Sequence, residues 1–379
     1  MMGRLLPAGV LVALLSACVP APALPTAPTG FAWQQVELAG VRPASLAVAG
    51  GGLLVGGRTA DAPAPRLLRL TGGSVAGELR LEPADPNAAA ADLVRLTVAG
   101  DDVYAIGTMI AGAHSNPRLT VWDGTLGSAV LSSHTQEFFT FGGHDAGPLL
   151  GTVAVDGGPV IFGSRVGERG PYGLLWTRRG HTWSQQASRA ALASTPDREY
   201  GFSALARSGD RLVVSGDELG LAGGLTQRPV VFVGDVAGEW QQVALPVPDL
   251  PVVAGQLSRA TSVACPAGPG TCWVGGWVRG HALAWPLDVP ASGAPSVAQP
   301  AVLPGDPPSG NDPATLVVLA GAIPVVFTNA TTPSVQRGCP TGWQGLAAPP
   351  GRVTAAAAAP DGLYAVAGDA LWRLAAPAC

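Results

Sequence analysis

Lysine is absent from this 379-residue chain, so all 22 of its basic residues are arginine. Charge of either sign is scarce: 26 acidic residues bring the formal net charge to -4, and only 13% of the chain is charged. Nucleic-acid binding calls for a basic stripe that displaces condensed counterions, and this composition supplies none. Coiled coils and disordered chains are excluded as well, because both draw heavily on charged residues. The five histidines (His114, His134, His144, His181 and His281) are scattered. No H-E-x-x-H, G-x-S-x-G or phosphate-binding P-loop occurs, so the spacings that hold zinc, activate a serine or cradle a nucleotide are missing. Neither a metal nor a cofactor is expected. Nowhere do 18 apolar residues follow one another, which is the length a membrane-crossing helix needs. What the chain has in excess is 52 glycines and 36 prolines, about twice the ordinary usage. With 47% hydrophobic residues it can still bury a sizeable core.

The first residues read as an address. Arg4 follows Met1-Met2-Gly3, and Leu5 to Leu15 is an apolar run too short to span a bilayer. Leu15-Ser16-Ala17-Cys18 then resembles the lipobox of bacterial lipoproteins. That resemblance implies cleavage after residue 17 and a lipid on Cys18, the new N-terminus. Val19 stands where inner-membrane retention often has Asp, so the outer membrane is the expected location. Residues 18–30 continue as a Pro/Ala tract, an extended tether reaching roughly 30 Å. The membrane is thus an expected partner through the N-terminus alone.

From residue 31 onward a unit repeats: a short apolar strand, a Gly/Asp turn, then a second apolar strand ending in Gly. Leu46 to Gly56, Leu96 to Gly107, Val153 to Gly163, Leu205 to Gly216 and Ser262 to Gly275 are clear copies. Leu316 to Phe327 and Ala356 to Gly368 are weaker ones. The period is about 50 residues, in the range of propeller blades. A third strand follows each hairpin, for example Gly173-Leu174-Leu175-Trp176, and several units add a fourth that begins with a Gly-Trp signal such as Gly238-Glu239-Trp240. The sequence therefore predicts an all-β fold over residues 31–379, a single β-propeller of about seven four-stranded blades.

Ring closure is legible too. Phe31 to Leu38 echoes the fourth-strand segment Gly238 to Leu245, yet it precedes the first hairpin, while the last unit has only three strands. An N-terminal strand completing the last blade would remove two bare sheet edges. Ala355 to Ala359 has helical propensity, but five residues cannot nucleate a helix alone, and small residues suit an innermost strand.

The pattern is similar to that of kelch-type propellers, with the double glycine kept at Gly56-Gly57 and Gly275-Gly276 and the Tyr-to-Trp spacing absent. Gly180-His181-Thr182-Trp183 resembles the end of the Asp-box of sialidase-like propellers. Arg178 replaces its aspartate, so no glycosidase activity is carried over.

Four cysteines remain after the anchor, and an oxidising compartment would allow them three pairings. Cys265 and Cys272 flank a hairpin turn and are expected to bond, which leaves Cys339 for Cys379.

No catalytic motif appears, so function is sought in the loops. The inner hairpin turns are short, whereas the second-to-third and unit-to-unit connections, such as Ser132 to Pro148, Arg165 to Tyr172 and Ser188 to Tyr200, are expected to be long and to share one face. Phe139, Arg169, Tyr172, Arg198 and Tyr200 lie there and are candidate binding residues, being types that dominate recognition. The expected function is an envelope binding or scaffold module for a protein or polysaccharide. A glycan hydrolase or lyase on the same face is the alternative.

Overall fold

The computed structural model describes residues 32–111, 116–253, 258–268, 270–307, 315–375 and 379. They form seven antiparallel blades in a ring, a β-propeller, with only single-turn helices between them. The anchor Cys18, the rest of residues 1–31 and His114 lie outside the described residues.

Blade 1 runs from its innermost strand Val41–Ala49 through Gly52–Thr59 and Pro65–Thr71 to Ser74–Glu78. Six further blades start at Asp92, Ala146, Arg198, Arg259, Thr315 and Val353. Blade 2 gains an extra outer strand, Arg80–Glu82, which pairs parallel to Val130–Ser133. The outer edge of blade 5 is split into Ser296–Val297 and Ala301–Val302, both paired to His281–Val289. The alanine run is strand, Val353–Ala359, as its place against the crowded axis requires.

Blade 7 supplies three strands of its own, and Gln34–Val36 supplies the fourth. Gln34 lies opposite Arg373 and Val36 opposite Leu371. The incoming chain therefore joins where the third strand ends, the place at which other blades make their third-to-fourth turn. Trp33 then donates its indole N–H to the Ala347 carbonyl of blade 6, at 2.7 Å.

Two local devices let the sheets pack around an axis. Six of the seven innermost strands carry a bulge, for instance between Pro43 and Ser45, Phe202 and Ala204, and Ala260 and Ser262. A bulge sharpens the local twist. It also drives a carbonyl toward the second strand: a Cβ on Gly57 would lie 2.0 Å from the Arg42 oxygen, and one on Gly216 only 1.9 Å from that of Gly201. The repeated glycines are thus required opposite the bulges. The second device satisfies the free inner edges, whose backbone groups have no further strand to pair with. Side chains of one blade reach the next instead: Ser45 to the Leu93 carbonyl, Thr97 to Thr152, Thr261 to Thr315, and Asn329 to both backbone groups of Val353.

Between blades the core is apolar, with Trp122, Trp176, Trp285, Phe162, Phe232 and Phe327 almost wholly buried. A fully buried phenylalanine contributes about 1.5–3 kcal/mol. Two of the tryptophans also pin connections that cross above them, Trp176 donating to the Thr140 carbonyl and Trp285 to that of Pro246. Both expected disulfides are present, Cys265–Cys272 and Cys339–Cys379, with Cα atoms 4.2 and 5.7 Å apart.

Candidate functional site

The connections do not all follow expectation. Those leading from one blade to the next are long, as at residues 79–91, 134–145 and 186–197. Second-to-third connections are longer than a tight turn in blades 1, 4 and 6, but shrink to two residues in blades 3, 5 and 7. Strands Gly158–Gly167 and Gly170–Arg179 absorb most of the expected loop Arg165 to Tyr172, because the ladder continues past the bulge to the end of the hairpin.

The expected binding residues fall into two groups. Arg169, Tyr172, Arg198 and Tyr200 meet at the junction of blades 3 and 4, where Ser194 donates to the Pro171 carbonyl and accepts from the Tyr200 N–H. Arg169 is exposed in its tight turn, and Tyr172 is half-buried beside Ala193. Tyr200, expected at the surface, is only 6% exposed. Strand alternation turns it between the blades, with its ring 5.1 Å from that of Phe232. Its hydroxyl donates to Gln242 Oε1, and burial followed by the Glu218 charge raises its pKa.

Glu218, itself buried, pairs with Arg228 at 2.7 Å and accepts from Gln242, while Arg198 stands 3.7 Å away. Neighbouring Asp217 accepts from Gln227 at 2.7 Å. These carboxylates are matched by donors on their own blade, the arrangement in which buried charge is tolerated.

Phe139 belongs to the second group, on the connection from blade 2 to blade 3. The single helical turn Phe138–Phe141 sits there, with Phe138 54% and Phe139 73% exposed. Arg165 fixes the turn from below, donating to the Phe139 carbonyl at 2.6 Å and pairing with Asp145 at 2.7 Å. His144, next to Asp145, stays exposed.

Beside this turn a cleft of about 620 Å³ opens between blades 2 and 3. Its walls include Arg95 on the innermost strand, Arg118 on the third strand, Ile106, Phe138, Phe141 and Leu149. The Arg118 guanidinium lies 5.0 Å from the centre of the Phe138 ring, a cation–π contact. A smaller hollow of about 210 Å³ adjoins it beyond Arg118 and carries Asp85 and Glu137. Sequence reasoning missed Arg95, Arg118 and Phe138. The available signal was Arg95 itself, a lone charge inside the apolar stretch Leu93-Val94-Arg95-Leu96.

On the outer flank of the same two blades, Asp123, His134 and His181 bring ligand atoms within 4.8 Å of one another. Arg178 already holds Asp123 Oδ1 at 2.6 Å, and His134 Nε2 lies 3.1 Å from the same oxygen. The two imidazoles stack at 3.9 Å. Burial, then the nearby His181 and Arg178 charges, lower the His134 pKa against the opposing pull of Asp123. With a guanidinium on its only carboxylate, the cluster fits an ion-paired flank better than a metal centre.

No family model and no curated protein sequence matches this chain. Its fold, however, is shared with solved structures. YCF48 from Cyanidioschyzon merolae superposes with a TM-score of 0.53 at 10% identity, covering 91% of this chain and 99% of that one. An α-L-arabinanase from Penicillium chrysogenum gives 0.47 at 11% identity, covering 82% and 94%. A PL25 ulvan lyase gives 0.46 at 11% identity, covering 88% and 93%. The likeness to YCF48 agrees with the propeller seen in the strand order and carries nothing finer.

Proposed function

We propose that this chain is a lipid-anchored protein of the cell envelope, held in the outer membrane through Cys18, whose propeller is a binding module for a protein or polysaccharide. The observation that carries the reading is the cleft between blades 2 and 3. It opens beside the long blade-to-blade connection, is lined by Phe138 and two arginines, and has the exposed Phe139 next in sequence to its wall. Exposed aromatic and arginine side chains on a well-supported frame are what recognition surfaces use. A glycan hydrolase has no comparable feature behind it. Glycosidic cleavage ordinarily uses two carboxylates flanking the bond, and the described lining of this cleft holds none.

The test is capture of partners from the native envelope by tagged protein. Replacing Phe138 and Phe139 by alanine should weaken capture by about 1–2 kcal/mol for each side chain that acts as a hot spot, with thermal melting nearly unchanged. An equal loss from Asp210→Ala, in a short turn at the opposite end of the ring, would place binding elsewhere. Anchoring is tested separately: Cys18→Ala should abolish lipid labelling, and labelling that persists refutes the anchor.

A further inference from the structure

Neither arginine of the cleft has a carboxylate partner among the described residues. Arg95 Nε donates to the Leu150 carbonyl at 3.2 Å and Nη1 to that of Val94 at 2.9 Å, so the guanidinium is held across the blade boundary by neutral acceptors alone. It is exposed to water in the cleft wall although protein stands close around it. Burial also lowers its pKa below the ordinary arginine value, with no nearby anion to oppose the effect. Arg118 rests on Phe138 and likewise has no carboxylate within ion-pairing distance among the described residues.

Nearby acids are engaged elsewhere. Asp92 faces Arg58 at 3.9 Å, Asp145 holds Arg165, and Asp85 caps a helical turn through the Ala88 N–H. Glu137 lines only the smaller hollow. A positive cleft of about 620 Å³ with mixed polar and apolar walls therefore remains, within the usual size of small-ligand sites.

We infer that this cleft binds an acidic saccharide, with Arg95 as partner of its carboxylate, Arg118 at the rim, and an apolar sugar face against the wall around Phe138. Two guanidiniums beside the apolar wall of Ile106, Phe138, Phe141 and Leu149 suit one carboxylate on a bulky amphipathic body. A compact phosphate would instead draw on a nest of converging backbone N–H groups. The inference rests on the proposed function for its choice of face.

The experiment is calorimetric titration of the purified mature chain with digalacturonate and diglucuronate, each beside its methyl ester, which keeps the sugar body and removes the charge. The acid form of at least one should bind, with its ester about tenfold weaker or worse. Arg95→Gln keeps a donor for the Leu150 carbonyl and should erase that preference without moving the melting temperature. Esters that bind as tightly as acids, or an Arg95→Gln variant that retains the preference, overturn the carboxylate assignment while leaving the cleft a binding site. Inorganic phosphate that competes at equal concentration overturns the saccharide. If neither acid form binds, the inference fails, and the capture experiment independently decides whether the face is functional.

Discussion

A single missing methyl group governs Gly216, and it shows how little room the bulges leave. The Gly201 carbonyl would sit 1.9 Å from an alanine Cβ there, and backbone cannot rotate away as a side chain would. Gly216→Ala should therefore lower stability by about 3 kcal/mol or prevent folding. Gly77→Ala, where nothing lies within 4 Å, should be nearly neutral; comparing their thermal melts checks both. His134 makes a second residue-scale prediction. Its pKa is lower folded than unfolded, so the unfolded chain binds the extra proton first. Its contribution is complete above the unfolded value near 6.5 and is lost as pH falls toward the folded value. His134→Gln should flatten the decline in melting temperature between about pH 7 and 5. At this scale the sequence was only partly legible. The glycines were recognisable as sites of close backbone approach, but the bulge that makes them necessary leaves no residue signature. Tyr200 was misplaced because it was read as the end of a loop, whereas the innermost strand already begins at Arg198 and its alternation turns Tyr200 inward, and Arg95 was overlooked because its isolation is a property of space, not of neighbours in the chain.

The elements were more readable, since hairpin periodicity and turn chemistry are local. Inner hairpins, third strands and the N-terminal closing strand all stand where the repeat put them, whereas the split outer edge of blade 5 and the added parallel strand of blade 2 follow no repeat. Loop lengths were misjudged where strands ran past their glycines, as at Gly167–Gly170. Both disulfides close elements, but over different lengths: 7 residues separate Cys265 from Cys272, and 40 separate Cys339 from Cys379. On chain entropy alone the longer loop contributes about 4 kcal/mol and the shorter about 2. Denaturant titration of Cys339→Ser and Cys265→Ser should show the larger loss in the former. Equal losses would mean that the bond in the fifth blade does more than shorten its turn.

For the whole molecule, closure is the decisive property. Each blade buries its faces against two neighbours, so an open ring exposes apolar surface at both ends of the break. Val36 and Leu38 are both core residues at the seam, packed with Leu371 and Tyr364. Removing residues 32–38 should replace one cooperative melting transition with a broad one or with aggregation. A truncated chain that melts like the intact one would show that the ring closes by other means. The same seam fixes a direction. Gln34 joins blade 7 beside Arg373, at the third-to-fourth-turn end of the strands, while the cleft of blades 2 and 3 opens at the other end, beside the long connections. On the proposed anchor, the chain leading from Cys18 meets the ring at the end opposite the cleft and leaves the mouth of the cleft clear of its own attachment point.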